Sequence, residues 1–328
     1  MAEFITKIRT DEGDKKIDYN ALANLPTTDT TLSVSGKAAD AQAVGEALDT
    51  MATKEQVSSL SNPNLLINSD FRNPINQRSQ SQYSSAPEWT YSIDRWKFIG
   101  DLTVKLESGY LALTNNENTS WFMQEFEYEM PKGNYIVTAK VLNVTGTCNM
   151  YFENSSGAST KKTINNTGLV TLSVNQSINA ITFELQGVNS KLQLEWVKVE
   201  AGTISTLFIP RIYGEEVALC RRFYQVETLN NPDIACYLHK RNNASYGGVK
   251  HFEPMRVIPT VTRSGEFYIE QYDSSGQIYA TMENEFDIEI TPQWSELKFM
   301  INLNTVNPVN SLAAASVSVV FRFDAEIY

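Results

Sequence analysis

Histidine is the first limit on the chemistry open to this chain, because only two occur, His239 and His251. The cysteines number three, Cys148, Cys220 and Cys236, at irregular spacing. No CxxC pair, HExxH helix, GxSxG elbow or phosphate-binding glycine loop is present. A zinc site or a histidine-based triad is hard to assemble from this set. An odd cysteine count argues against a disulfide framework, and three reduced, buried thiols acting as small hydrophobes are expected. Acids are plentiful, 38 against 27 basic residues. Glycan hydrolysis needs two carboxylates flanking the bond, roughly 5–10 Å apart. With so many acids a pair carries no weight by itself. Most alternate with apolar residues, where solvation explains them.

Two stretches carry groups suited to binding. Trp89, in Ala86-Pro87-Glu88-Trp89-Thr90-Tyr91, follows a polar run; its ring is a candidate stacking face if exposed, and a core position is the plainer alternative. The stretch from His239 to His251 is a basic patch in an acidic protein and holds both histidines. Within it Arg241, Asn243, Tyr246 and Lys250 are the candidate glycan ligands. Tyr246 precedes Gly247-Gly248, which reads as a loop. Anionic wall polymers suit such a patch; a solvated hairpin is the plainer alternative.

These groups need a scaffold. A length of 328 residues suggests two or three folded units at roughly 100–200 residues each. The formal net charge of −11 and pI of about 4.8 repel phosphate backbones, so no nucleic acid partner is expected. Met1-Ala2-Glu3-Phe4-Ile5-Thr6-Lys7 lacks a basic segment followed by a long apolar run, which reads as no signal peptide. No apolar run is long enough to span a bilayer. Synthesis in a cytoplasm, without membrane insertion, is the expectation.

Residues 1–30 are polar and turn-rich, and nine of residues 3–18 are charged. The segment is too polar to form a core alone and is expected to order against a partner. Residues 31–61 change character. Ala41, Val44, Leu48 and Met51 recur at spacings of 3, 4 and 3, a heptad seam about two heptads long. Thr53-Lys54-Glu55-Gln56 has capping-box spacing. A lone helix this short is marginal in water, so self-association through the seam is expected.

From residue 62 the pattern is β. Phe126, Tyr128 and Met130 alternate with Glu125, Glu127 and Glu129. Ile181, Phe183 and Leu185 share one face, as do Leu192, Leu194 and Trp196; Val197 and Val199 then switch phase, which suits a bulge. Near the end Val317, Val319, Phe321, Phe323 and Ala325 take one face and Ser318, Arg322, Asp324 and Glu326 the other. Period-two patterning with one polar face predicts antiparallel sheets. The exception is Gly214 to Arg222, whose leading acids and trailing arginines predict a short helix. The fold read from these patterns is mainly β: a short N-terminal helical stalk expected to self-associate, then two antiparallel β-sandwich domains, 62–213 and 214–328, which the resemblance described below would make a trimerisation stalk and jelly-roll-like domains. Few contacts are expected to cross the boundary near Gly214, so 62–213 is expected to fold alone.

Several motifs together carry a resemblance. Ile17-Asp18-Tyr19-Asn20-Ala21-Leu22 with Leu32-Ser33-Val34-Ser35-Gly36 resembles the amino-terminal segment of phage and prophage tail-fibre proteins of Gram-positive bacteria. Asn64-Leu65-Leu66-Ile67-Asn68-Ser69-Asp70-Phe71, Ile75-Asn76-Gln77-Arg78 and Asp94-Arg95-Trp96 are similar to the opening of a carbohydrate-binding jelly-roll module of those proteins. Leu192-Gln193-Leu194-Glu195, Glu200-Ala201-Gly202-Thr203 and Phe208-Ile209-Pro210-Arg211 resemble its close. Leu219 to Tyr224 and Met255 to Thr262 resemble the distal β-domain that follows. Trp196-Val197-Lys198-Val199 lengthens the usual closing run, which departs from the family pattern.

The resemblance implies a homotrimer on a virion, attached through its amino terminus to a tail, baseplate or capsid protein, that recognises a bacterial surface glycan; no enzyme activity is expected, because the chain shows no repeat period of the parallel β-helix kind. A capsid-decorating head fibre and a polysaccharide-degrading enzyme are the alternatives. Modules of this type also resemble calcium-stabilised jelly rolls; Asp70 with Glu195 or Glu200 would be the oxygen ligands, and no other cofactor is implied.

The seam is directly testable. Leu48→Asp would bury three carboxylates together and should convert a sedimenting trimer into monomers, whereas an unmutated chain that sediments as a monomer contradicts the stalk.

Overall fold

A computed structural model describes residues 7–10, 13–16, 44, 61–229, 234–240, 245–272, 278–282, 286–303 and 313–326. The chain divides into two compact units, Met1–Ser59 and Leu60–Tyr328. In the first, β1 (Lys7–Thr10) and β2 (Gly13–Lys16) pair antiparallel in a short hairpin. Residues 1–30, expected to order against a partner, contain these paired strands. Of the four seam residues, Val44 is described and is helical; Ala41, Leu48 and Met51 lie outside the described residues.

The second unit is mainly β, as the alternation predicts. Its first sheet contains β3 (Gln82–Tyr91), β4 (Lys97–Glu107), β5 (Tyr110–Asn115), β6 (Thr119–Asn154), β7 (Gly157–Ala158), β8 (Lys162–Thr163) and β9 (Gly168–Ala201). The strand order is β3-β4-β5-β9-β6-β7, with β8 on β6. The two long strands, of 36 and 34 residues, fold back on one another through register shifts. Ala139, for example, pairs with both Val170 and Val197. At the Gly146 bend φ is 75°, and a Cβ there would meet the Ser190 backbone at 3.0 Å, so only glycine serves. The folded-back halves face each other across one core. Phe122, Met150, Phe152, Phe183 and Leu185 pack in the same cluster as Val137, Val141, Leu194, Val197 and Val199. Trp96 is fully buried there, stacked on Phe122 at 4.9 Å between ring centres. Cys148 and Cys220 are free, buried thiols, and burial pushes Cys148 up to about 12.

The second sheet follows α1 (Tyr213–Arg221), a helix with Glu215 and Glu216 in its first turn and Arg221 in its last, as the charge pattern predicts. Its strands are β10 (Tyr224–Leu229), β11 (Ile234–Lys240), β12 (Ser245–His251), β13 (Thr260–Tyr272), β14 (Ile278–Met282), β15 (Phe286–Pro292), β16 (Glu296–Leu303) and β17 (Ala313–Asp324). The order is β14-β13-β17-β11-β12-β16-β15, with β10 also on β17 and every pairing antiparallel. Leu297, Phe299, Val319, Phe321 and Phe323 are buried on the faces the alternation assigns them.

The sequence is corrected where the two sheets meet. Glu326, read as part of a solvated face, is buried, its carboxylate 2.7 Å from the Arg95 guanidinium and 3.5 Å from that of Arg78. Arg95 is itself 1% exposed, packs over the Phe223 ring at 3.7 Å and donates to the Glu125 carbonyl at 2.6 Å. Arg78 also faces Asp94 at 3.3 Å and lies over Tyr224 at 3.8 Å. Gln77 donates to both Asp94 and the Tyr224 carbonyl, each at 2.6 Å. At the surface Glu127 accepts from Arg222 at 2.9 Å. The expectation that few contacts cross near Gly214 therefore fails, because charges from both sheets are desolvated against one another there.

Two measurements follow. Glu326→Ala leaves Arg95 and Arg78 buried without their shared counter-ion and should cost about 3–5 kcal/mol in urea unfolding. A cost within the error of a surface substitution would contradict the burial. The second concerns Asp94, which burial pushes up to about 6 against the opposing charge of Arg78. Glu326 and Asp94 more than offset the desolvation of Arg78, whose pKa is raised, so Arg78 stays charged with Glu326 as counter-ion. The folded chain keeps the Asp94 proton to higher pH than the unfolded chain. That stabilisation is complete below the ordinary aspartate range and is lost as pH rises through about 6. The thermal midpoint of Asp94→Asn should therefore gain on that of the parent between about pH 4 and pH 6.5; a constant difference contradicts the shift.

Candidate functional site

The site is set up by a bulge late in β9. Leu194 pairs with Val141 and Trp196 with Lys140, so Glu195 is skipped in the register. Leu194 therefore points into the core, and Trp196 turns to the opposite face instead of sharing that of Leu192 and Leu194. There Trp196 stacks on Phe208 with ring centres 4.4 Å apart and planes 3° from parallel. The next residues on the outward face, Lys198 and Glu200, are buried by the segment 203–211, which crosses them as a strap. The Lys198 ammonium donates to the Thr206 hydroxyl at 2.6 Å and the Leu207 carbonyl at 2.9 Å, and lies 3.2 Å from Glu200. Glu200 accepts from the Thr206 N–H at 2.9 Å and from its hydroxyl. Arg211 ends the strap, donating to the carbonyls of Leu66, at 2.7 Å, and Asn64, and facing Glu216 at 3.2 Å.

Between the strap, the chain entry at 61–75 and the first turn of α1 lies a cleft of about 570 Å³, within the size range of small-molecule sites. Its walls include Asn62, Asp70, Asn73, Phe208, Arg211 and Tyr213. Asn64 and Asn68 also line it, but their amides are consumed internally. Asn64 joins Ser69, Val197, Leu66 and Val199, and Asn68 joins Ile75 and Asp94. The groups that reach solvent are different. Tyr213 is 59% exposed. Asp70 accepts two hydrogen bonds from Arg72, at 2.7 and 2.9 Å, and the pair stays partly open. The Asp70 hydrogen bond raises the Arg72 pKa, so the guanidinium is permanently charged. Arg72 also faces Glu195 at 3.7 Å and lies 5.7 Å from the Phe208 ring centre.

The three carboxylates proposed for calcium are thus placed differently from a metal cage. Asp70 and Glu195 do converge, but on Arg72; Glu200 faces Lys198. Each already has a cationic partner. Among the described residues no cluster of three or more His, Cys, Asp or Glu is positioned to hold an ion. The residues present do not fit calcium.

The expected glycan ligands scatter. Arg241 and Asn243 lie outside the described residues. The loop reading of 239–251 is corrected: Tyr246 and Lys250 are in β12, which pairs with β16 along its full length, and Gly247 and Gly248 are buried in that strand. Lys250 lies 3.3 Å from Glu227. Trp89 is on β3, half-buried, with the Lys97 ammonium 5.3 Å from its ring centre. Lys97 begins a cross-strand row through Met123 and Thr182 to Tyr151, beside a row through Trp121, Glu184 and Asn149. Polar groups of this sheet face satisfy one another. Lys161 reaches Glu184 at 2.7 Å, Asn149 donates to Glu184 at 2.9 Å, and Thr182 to Glu153 at 2.6 Å. Sequence reasoning missed Arg72 and Tyr213. Arg72 directly follows the Asp70-Phe71 motif, and an acid and a base two apart in a turn was the available signal. Nothing in the pattern marked Tyr213.

No protein-family model matches the chain, and no curated protein does. Solved structures give likenesses at low score. Discoidin II of Dictyostelium discoideum is 9% identical over 66% of this chain and 81% of that one, with a TM-score of 0.20. The tandem CBM22-1–CBM22-2 domain of Paenibacillus barcinonensis Xyn10C is 9% identical over 82% and 99%, at 0.28. The enzymatically active domain of bacteriophage CBA120 tailspike protein 4 is 15% identical over 46% of this chain and 22% of that one, at 0.24. At these scores the likenesses decide neither fold nor ligand.

The arginine-filled carboxylate pair makes a simple forecast. The thermal midpoint should be the same in millimolar calcium and in excess chelator; a rise with calcium would show that Asp70 and Glu195 take an ion in preference to Arg72.

Proposed function

We propose that the chain is a non-enzymatic recognition subunit of a phage or phage-derived particle, trimeric through residues 31–61, that holds a bacterial surface glycan in the cleft bounded by Asp70, Phe208 and Tyr213. The observation that carries the glycan reading is the meeting, in one cleft, of an open tyrosine ring with a partly open carboxylate–guanidinium pair. Sugar rings offer C–H faces that stack on aromatic rings and adjacent hydroxyls that such a pair can bridge. The particle, its host and the trimer are supported by the resemblance of the amino-terminal and module-end motifs.

The same geometry favours binding over catalysis. A glycosidase general acid is a carboxyl kept protonated by an apolar setting. Here Asp70 faces Arg72 and Glu216 faces Arg211, so neither carboxyl stands in an apolar setting.

The reading is tested at Tyr213, whose exposure lets its ring be removed without opening the core. Tyr213→Ala should weaken adsorption to Gram-positive cell-wall preparations about tenfold, the equivalent of about 1.4 kcal/mol, at an unchanged thermal midpoint. If Tyr213→Ala adsorbs like the parent while Trp89→Ala does not adsorb, the site belongs to the sheet face around Trp121.

A further inference from the structure

Charge around the cleft bears on which glycans it can take, an inference that rests on the cleft being the carbohydrate site. We infer that its ligand is an uncharged glycan, and not the anionic wall polymer suggested by the basic stretch at 239–251. Asp70, Glu215 and Glu216 line the cleft, and Glu195 stands behind Asp70 across Arg72. The cations are Arg72 and Arg211, and both are engaged. Arg72 serves Asp70 and Glu195. Arg211 serves Glu216 and two backbone carbonyls. Four carboxylates thus surround two guanidinium groups. The positive end of α1 does not reverse this sign, because Glu215 and Glu216 already occupy its first turn.

A phosphate or uronate unit entering the cleft would meet surplus negative charge in a molecule whose formal net charge is −11. It would also have to displace carboxylates already bound to the two arginines. An uncharged sugar meets neither obstacle. Its hydroxyls can donate to the partly open Asp70 carboxylate and accept from Arg72 without breaking the ion pair, while Phe208 and Tyr213 contact ring C–H groups. In the alternative basic stretch, Lys250 already lies 3.3 Å from Glu227 and His251 3.8 Å from Glu296.

The full chain should be titrated by calorimetry against a neutral panel, a glucan, a galactan and a mannan, and against polygalacturonate and lipid-free teichoic acid. Each titration is run in low and in roughly tenfold higher salt. Binding to at least one neutral polymer is expected, changing less than about twofold with salt, since no charge on the ligand is there to be screened. Glu215→Lys, at an exposed position on the cleft rim, should raise affinity for polygalacturonate at least fivefold. Parent binding to an anionic polymer that weakens tenfold or more with salt would overturn the inference and leave the carbohydrate reading standing. Failure of every polymer of both kinds to bind would overturn the carbohydrate reading and this inference with it.

Discussion

The Glu326 carboxylate, buried between the Arg95 and Arg78 guanidinium groups, is the constraint on which the Leu60–Tyr328 unit turns. A buried ion pair is not a large source of stability, because desolvating its members costs about as much as their attraction returns. What it supplies is position. Arg95 comes from the turn between β3 and β4, with its backbone in the left-handed region at φ 70°, and Glu326 follows the last described strand. Neither charge tolerates burial alone, so the two sheets are admitted in the arrangement that pairs them. Phe223 lies beneath Arg95 and Tyr224 beneath Arg78, so the peptide joining α1 to β10 is fixed by the same contact. α1 then has little freedom. Its far end is anchored by buried Cys220 and its first turn by Glu216, which accepts the Asn68 N–H. Tyr213 reaches the cleft because a carboxylate more than a hundred residues away is held by two arginines.

A second constraint operates inside the first sheet, where the Glu195 bulge decides what β9 shows to each side. Without the extra residue, Trp196 would continue inward behind Leu194 and the outward face would carry no aromatic ring for Phe208. With it, Trp196, Lys198 and Glu200 form an outward row that the strap covers. Thr206 is the hinge of that cover, satisfying both Lys198 and Glu200, so two charges are buried with partners and the strap is tied down in the same step. The bulge also leaves Glu195 beside Arg72. The carboxylate pair of the cleft and the aromatic stack at its edge therefore share one origin in backbone register.

Much of this architecture was legible in the alternation of single strands. Ile181, Phe183 and Leu185, or Val319, Phe321 and Phe323, bury as written because a strand offers two faces and one of them meets a core. One error has a plain cause: period two reports which face is apolar and not what the other face meets. Glu326 stands on a polar face that happens to abut a second sheet. Tyr128, assigned inward with Phe126 and Met130, is 66% exposed and lies where pairing with β9 lapses between Glu125 and Met130. Gly247-Gly248 has the composition of a turn, yet lies buried in β12, where the absence of side chains suits close packing. The Asp70 and Glu195 convergence was legible from the module-end motifs. That Arg72 would fill it was not, because turn geometry places the guanidinium and sequence spacing does not.

The outward polar faces explain why so acidic a chain still has a site with a definite electrical character. Among the described residues, buried acids are met by cations: Glu326 by Arg95 and Arg78, Glu184 by Lys161, and Glu200 by Lys198 of its own strand. This pairing is obligatory where water is excluded and consumes basic residues in the interior and at its margins. The acids left over are those that water can reach, and the rim of the cleft is one place where they gather, at Asp70 and Glu215. The negative surplus at the site is therefore a consequence of how the fold neutralises itself.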